Sequence, residues 1–186
     1  MYRANKEISI CEGTYYSDVS IFEREDIKTF REYYKTFMEL NGLSKDIGCR
    51  SLVIPPSFME SLVAYYMGYW KIEGSYAGFD CYSPNMPIGH NRIEIKVGSG
   101  KSDYSLFRSR DDWDVLNYVT IYNESIVECA FELFSITKER ILSESERFAR
   151  HYSDKRNLGF RYNIYRELIE HGEYDYKKTF SLFEDL

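Results

Sequence analysis

The sequence predicts an α/β protein in which helices flank one mixed central β-sheet. Segments rich in β-branched and aromatic residues are concentrated in the middle of the chain, and segments with helical periodicity lie before and after them. No internal repeat or low-complexity linker divides the sequence. A length of 186 residues is typical of a single domain, so we expect one domain over residues 1–186.

Two helices are predicted ahead of the strands. Apolar and aromatic side chains recur every three or four residues from Glu23 to Leu40, which indicates an amphipathic helix that stops before Asn41–Gly42. The second helix follows Pro56, with Ser57 as its N-cap. It is apolar on most faces, so we expect it to be largely buried.

Strands and further helices follow. The strand-like segments are 78–83, 92–97, 115–122 and 126–136, and turn-forming residues separate them. Residues 137–151 are predicted to form a charged helix, and residues 163–170 a short helix ended by Gly172. The last ten residues are expected to add one or two helical turns.

The composition excludes several classes of protein. Hydrophobic residues at 44% and charged residues at 29% are typical of a folded globular chain. Charged residues interrupt the longest apolar stretches, and the first residues lack the apolar core of a signal peptide, so we expect no membrane partner and a cytoplasmic location. The four cysteines form no CxxC pair, which predicts neither a zinc site nor a redox dithiol.

The residues 92–97 carry the most informative pattern. A strand alternates its side chains, so Ile93, Ile95 and Val97 share one face while Glu94 and Lys96 share the other. If this strand forms an antiparallel hairpin with the segment before it, a turn centred on Pro87 places Asp80 directly opposite Glu94. The apolar face would then pack into the core, with the three charged residues together on the far side.

Opposed carboxylates destabilise a sheet unless a positive charge lies between them. A divalent cation supplies that charge, and oxygen ligands in a half-open site favour Mg²⁺. Asp80, Glu94 and Lys96 are therefore sufficient for metal-assisted phosphodiester hydrolysis. The alternative is a half-exposed strand whose Glu-x-Lys pair has only a structural role.

The order of Asp80, a spacer and Glu94-Ile95-Lys96 resembles the PD-(D/E)xK nucleases, and small type II restriction endonucleases in particular. Segments 54–66, 105–122, 128–136 and 161–170 resemble the helices and strands that flank this motif in those enzymes. The resemblance implies a restriction-endonuclease-like fold, with a catalytic core at about 54–136 and a helical DNA-binding segment at about 137–172. Phe79 stands where that family's motif has proline.

The resemblance also implies roles for single residues. Asp80 and Glu94 would be metal ligands, the Ile95 carbonyl a backbone ligand, and Lys96 the residue that acts on water or phosphate. Glu60 would be a helix carboxylate in the metal's inner or outer shell. The alternative for Glu60 is a capping box with Ser57 at the start of the second helix.

Charge is distributed unevenly along the chain. The formal charge is -6, which argues mildly against a nucleic-acid partner, but residues 138–166 carry eight basic and four acidic side chains. Arg108 and Arg110, on the loop after the catalytic strand, are the candidates for reading guanine, and the alternative for both is a phosphate contact or solvation. A solvated helix with paired charges is an equal alternative for residues 138–150, whereas DNA contact is favoured for residues 150–161. The predicted DNA contacts are Lys101, Arg108, Arg110, Arg150, Lys155, Arg156 and Arg161.

These expectations converge on a Mg²⁺-dependent, sequence-specific endonuclease that cuts double-stranded DNA and leaves 5'-phosphate and 3'-hydroxyl ends. A palindromic target predicts a homodimer, and a restriction system implies a cognate methyltransferase. One alternative is a structure-specific repair, resolvase or phage nuclease of the same fold. The other is a non-catalytic acidic binding protein, similar to an immunity protein or antitoxin.

Overall fold

The structure is a computed structural model, and it describes residues 1–74, 78–98, 103–108, 111–123, 129–154 and 159–183. Within these ranges, eight strands form one mixed sheet with helices on both faces, which agrees with the predicted α/β class. No helix in the described part of the chain is long and apolar enough to cross a membrane.

The elements follow one another from a hairpin at the N-terminus to a strand near the C-terminus. They are β1 (Tyr2–Ile10), β2 (Gly13–Ile21), α1 (Ile27–Asp46), α2 (Pro56–Met67), β3 (Trp70–Ile72), β4 (Cys81–Tyr82), β5 (Arg92–Gly98), β6 (Ser105–Phe107), β7 (Val115–Asn123), β8 (Cys129–Thr137), α3 (Lys138–Glu144), α4 (Glu146–Ser153), β9 (Phe160–Tyr162), α5 (Ile164–Glu167) and β10 (Tyr176–Ser181).

The order of strands in the large sheet is β1-β2-β3-β4-β5-β7-β8-β10. Strands β5 and β7 are parallel, while the other neighbouring pairs are antiparallel. The connection from β5 to β7 contains β6, which leaves the large sheet and pairs with β9 instead. We call this two-stranded unit the β6–β9 ribbon.

The core has one layer on each face of the sheet. Helices α1 and α2 cover the first face, where Tyr34 and Leu62 belong to the same buried cluster as Ile93 and Ile95. Helices α3, α4 and α5 cover the second face together with the ribbon, around Trp113. The alternation predicted for β5 is therefore observed, since Ile93 and Ile95 are buried in the first layer.

An ion-pair network fastens the N-terminal hairpin to the rest of the sheet. The Arg92 guanidinium contacts Asp114 at 2.6 Å, Asp112 at 2.5 Å and Glu12 at 3.2 Å. Asn91 donates a hydrogen bond of 2.8 Å to the carbonyl of Ser9 in the same hairpin. Arg92 is buried, so it needs these carboxylates as counter-charges.

Helix α1 runs past its predicted end. The Asn41 side chain does not terminate the helix, because it accepts a hydrogen bond of 2.8 Å from the Leu52 backbone N–H instead. The helix continues to Asp46, and the chain then turns at Gly48, which has a left-handed φ of 78°. Glycine is the residue that tolerates this conformation after a helix.

The predicted cap of α2 is wrong. Pro56 occupies the first turn and Pro55 is the N-cap, so Ser57 lies inside the helix. Proline suits this position because the first helical N–H groups have no intrahelical partner. Ser57 makes no capping hydrogen bond, and the capping box proposed as the alternative role of Glu60 is not formed.

The C-terminal part differs from its predicted helices. Residues 137–151 form two helices because Ser145 ends α3 and caps α4, accepting a 3.1 Å hydrogen bond from the Phe148 N–H. Residues 160–162 are strand β9, so the segment 137–172 is not helical throughout. Residues 176–181 are strand β10, paired with β8, where we expected helical turns.

Candidate active site

The hairpin of β4 and β5 has the register predicted from the sequence. Cys81 lies opposite Ile93 and Tyr82 lies opposite Arg92. Strand β4 includes only Cys81–Tyr82, so it is shorter than the predicted segment 78–83. The ladder ends at the pair of Cys81 and Ile93, so the predicted pairing of Asp80 with Glu94 is not among its pairs. Asp80 directly precedes β4, and its backbone N–H donates to the Ile93 carbonyl at 3.0 Å.

Asp80 ends the pairing along this edge of β5. Its Oδ2 atom accepts a hydrogen bond of 2.7 Å from the Ile95 backbone N–H, so the side chain replaces the next bond of the β ladder. Gly78 turns the chain away two residues earlier with a φ of 74°, and an added Cβ there would lie 3.0 Å from the Asp112 nitrogen. The early end of β4 leaves the outer half of β5 open to a cleft.

Glu94 and Lys96 lie on the face of β5 opposite the Ile93 and Ile95 side chains. The Lys96 ammonium forms an ion pair with Glu94 Oε1, and it lies 5.6 Å from the centroid of the Phe107 ring. The Glu94 side chain is 8% exposed and that of Lys96 is 23% exposed. The pair is thus mostly withdrawn from water, with the lysine nearer to solvent.

Glu60 reaches the same region from α2, and a lysine that sequence reasoning missed holds it there. Lys71 Nζ lies 3.2 Å from Glu60 Oε2 and donates to the Ser57 carbonyl at 2.9 Å and to Ser61 Oγ at 3.0 Å. Lys71 is on β3, opposite Cys81. No local motif marks this lysine, because only the pairing of β3 with β4 brings it beside Asp80.

The carboxyl groups at this site carry perturbed pKa values. Burial raises the pKa of Asp80 to about 6; the Ile95 N–H opposes this shift, and repulsion from Glu60 adds to it. Burial also raises the pKa of Glu94 to about 7; the charge of Asp80 adds to this shift, and Lys96 opposes it. The raised pKa values mean that nearby positive charge does not fully compensate the two buried carboxylates. A bound cation would supply that charge and favour their ionised forms.

Two adjoining clefts share Asp80 and Lys96. The Glu60 cleft has a volume of about 510 Å³, and Glu60, Tyr104 and Arg161 are among the residues that line it. The Glu94 cleft has a volume of about 310 Å³ and is lined partly by Glu94, Leu106 and Arg108.

The predicted metal ligands provide oxygen donors. Asp80 and Glu94 supply carboxylates, and the carbonyl of Ile95 belongs to a residue that lines the Glu60 cleft. Within the described ranges, no three His, Cys, Asp or Glu side chains are grouped so that they could hold a metal together. A set of two carboxylates and a carbonyl fits Mg²⁺, which binds few protein ligands and keeps several waters.

The predicted DNA contacts fall into three groups. Arg108 and Arg161 line the clefts beside Asp80 and Lys96. Arg150 is exposed on α4 and lines neither cleft. The remaining four lie outside the described residues, and they are Lys101, Arg110, Lys155 and Arg156. Sequence reasoning also missed Tyr104, directly before β6, and Leu106 on β6, which both line the clefts.

The fold and the site describe an α/β protein whose acidic cleft, edged by lysine and arginine, is suited to an anionic substrate. A model of the family described as Bsp6I restriction endonuclease matches residues 22–171. The chain therefore belongs to the Bsp6I restriction endonuclease family, and this membership implies a nuclease and supports a type II restriction enzyme that acts on DNA. Neither a curated protein nor a solved structure matches the chain.

Proposed function

We propose that the protein is a Mg²⁺-dependent endonuclease of the PD-(D/E)xK type that cuts double-stranded DNA at a specific sequence. The observation that carries the proposal is the shared cleft of Asp80, Glu94 and Lys96, in a chain of a restriction endonuclease family. The non-catalytic alternative is disfavoured, since it requires these residues to lie apart or to pair without a pocket.

Asp80, Glu94 and the Ile95 carbonyl are the proposed ligands of the cation. Asp80 is already oriented by its 2.7 Å hydrogen bond from the Ile95 N–H, and Glu94 is held by Lys96. Bound there, Mg²⁺ would lower the pKa of a coordinated water and stabilise negative charge on the scissile phosphate. Glu60, positioned by Lys71, is the proposed carboxylate of the inner or outer shell.

Lys96 is the proposed catalytic residue that acts on water or phosphate. Its ammonium pairs with Glu94 and the residue lines both clefts, so it can neutralise charge on a phosphate oxygen or polarise the attacking water. Water oxygen bonds to phosphorus in line with the departing 3' oxygen, and the bond from phosphorus to that oxygen breaks. The products are a 5'-phosphate, which keeps the water oxygen, and a 3'-hydroxyl.

Arg108 and Arg161 are the proposed DNA contacts nearest to the reacting phosphate, because they line the clefts that contain Asp80 and Lys96. Arg150, which lines neither cleft, is proposed as a contact to a more distant phosphate. Such contacts supply affinity without sequence information. The acidic total charge therefore does not oppose DNA binding at this local surface.

A homodimer is proposed because cutting both strands of a palindrome calls for two active sites related by a two-fold axis. Exposed apolar side chains at the end of α1 and directly after it support a protein interface: Leu40 is 54% exposed, Leu43 63% and Ile47 78%. We expect Leu43→Asp to shift the protein from dimer to monomer in sedimentation velocity. The matched control is Ile88→Asp, on an exposed residue of the β4–β5 connection; a monomeric wild type would contradict this part of the proposal.

The decisive experiment is digestion of unmethylated phage DNA with Mg²⁺, followed by sequencing of the fragment ends. Discrete fragments with one common end sequence, a 5'-phosphate and a 3'-hydroxyl are expected. DNA methylated by the proposed cognate methyltransferase should resist cleavage. A smear, or no cleavage at all, would defeat the restriction function, and preferential cutting of junctions or nicks would favour the structure-specific alternative.

Variants connect the activity to the site. Asp80→Ala, Glu94→Ala and Lys96→Ala should each abolish cleavage while folding and DNA binding are retained. Lys28→Ala is the control, because Lys28 is exposed on α1. Full activity of Lys96→Ala would overturn the assignment of the active site.

A further inference from the structure

The β6–β9 ribbon has one buried face and one exposed face. In its register Leu106 lies opposite Arg161, while the neighbouring pair is Phe107 opposite Phe160. Phe107 and Phe160 are 1% and 7% exposed, but Leu106 is 47% exposed and Arg161 is also exposed. Because cross-strand partners share a face of a β ladder, Leu106 and Arg161 project together from the outer face.

Aromatic contacts fix the buried face of the ribbon on α4. The ring centroid of Phe148 lies 5.1 Å from that of Phe107 and 5.0 Å from that of Phe160. It also lies 5.1 Å from the ring of Tyr162, which is 1% exposed. The ribbon is short, but this cluster gives its outer face a defined position.

The outer face borders the catalytic clefts. Arg161 lines the Glu60 cleft together with Asp80 and Lys96, and Leu106 lines the Glu94 cleft with the same two residues. Arg108, directly after β6, lines the Glu94 cleft as well. Arg161 and Arg108 are both exposed.

The chemistry of this face fits the edges of base pairs better than phosphates alone. A two-stranded β ribbon fits the major groove of DNA, which is about 12 Å wide. Arginine there makes paired hydrogen bonds to guanine, and an apolar side chain contacts the methyl group of thymine. A half-exposed leucine makes no favourable contact with a charged phosphate. It can distinguish thymine from other bases by packing against the methyl group.

We propose that the outer face of the β6–β9 ribbon, formed by Leu106 and Arg161, reads the bases beside the scissile phosphate of double-stranded DNA. Arg108 extends this face at the end of β6. The inference rests on the proposed function, because it assigns the specificity of the same active site. The ribbon would determine specificity from the same clefts that contain the proposed catalytic residues Asp80 and Lys96.

The test measures cleavage of a library in which every base of the wild-type site, and its flanks, is varied in turn. Arg161→Lys keeps the charge but loses the paired donors, and Leu106→Ala removes the apolar contact. Each should relax discrimination at one or two base-pair positions by roughly 10- to 100-fold, while cleavage at the remaining positions stays selective. The salt dependence of DNA binding should be unchanged in both variants, since no phosphate charge is removed.

Arg166→Lys is the matched control, because Arg166 is exposed on α5 and lines neither cleft. Thermal melting checks that each variant is folded, and Leu106→Met provides a second, milder change at the same position. If wild type cuts one sequence and the ribbon variants keep its base preferences, the ribbon inference is wrong while the proposed function stands. If wild type cuts no DNA, both fail.

Discussion

Asp80 accepts its 2.7 Å hydrogen bond from the Ile95 backbone N–H at the point where β4 stops covering β5. A side-chain oxygen of Asp80 thus accepts the hydrogen bond that a main-chain carbonyl of β4 would accept in a longer ladder. This places one carboxylate at the sheet edge, beside the strand that supplies Glu94 and Lys96. The geometry of the site is therefore set by where a strand ends.

The metal-free protein should lose stability as pH rises. The pKa values of Asp80 and Glu94 are raised in the folded state to about 6 and 7, compared with about 3.9 and 4.3 in an unfolded chain. Their stabilising contribution is complete below the unfolded values and is lost as pH rises through the folded ones. Urea unfolding in EDTA between pH 5 and pH 8 should show this decline.

Glu94→Gln should flatten that pH dependence, because glutamine cannot ionise. Glu7→Gln, on an exposed side chain of β1, is the control and should keep the wild-type slope. Equal slopes in wild type and Glu94→Gln would show that the buried acid does not control the decline.

Magnesium should reverse the trend. A cation held by Asp80 and Glu94 competes with their protons, so Mg²⁺ should raise the melting temperature more at pH 8 than at pH 6. At a hundredfold excess over Kd, the gain in free energy of unfolding is about 2.7 kcal/mol. Thermal melting of wild type and Glu94→Gln measures it without DNA; a variant that is stabilised as much as wild type would remove Glu94 from the ligand set.

Two glycines should respond oppositely to alanine. A Cβ at Gly98 would lie 1.9 Å from Tyr118 Oη, whereas a Cβ at Gly42 meets nothing within 4 Å. Gly98→Ala should therefore lower the free energy of unfolding by about 1–3 kcal/mol. Gly42→Ala lies inside α1 and should raise it by about 0.5–1 kcal/mol. Urea titrations measure both, and equal effects would contradict the close approach at Gly98.

The ion pairs of Arg92 should differ in their contribution to the free energy of unfolding. The Asp114 side chain is 7% exposed and that of Glu12 is 58% exposed. Asp114→Ala deprives a buried guanidinium of its most buried counter-charge, so it should cost about 3–5 kcal/mol of stability. Glu12→Ala should cost less than about 1 kcal/mol. Comparable losses in chemical denaturation would mean that burial does not decide the strength of this network.

Much of strand β5 could be predicted from its sequence. The alternation of β5 and the turn around Pro87 predict the observed pairing of Cys81 with Ile93 and of Tyr82 with Arg92, because both signals are local. The early end of β4 was not predictable, since it depends on the Asp80 side chain replacing a ladder hydrogen bond. The position of Lys71 likewise depends on the pairing of β3 with β4.

The edge strands were missed for a different reason. In β10 only Phe180 is buried, and in the N-terminal hairpin the buried apolar residues are Ile8 and Val19. A strand with so few buried side chains has a weak period-two pattern. Its stability comes from hydrogen bonds to β8 or across the hairpin, between residues that no short window of sequence shows together.

Strands β5 and β7 are parallel neighbours, and the chain that connects them borders both clefts. Parallel neighbours need a crossover, and here the crossover between Gly98 and Val115 contains the ribbon strand β6. The segment that borders the clefts is thus an interruption between two core strands, tethered at both ends. If the ribbon reads bases as proposed, substitutions on its outer face would alter the DNA target without changing β5 or the fold.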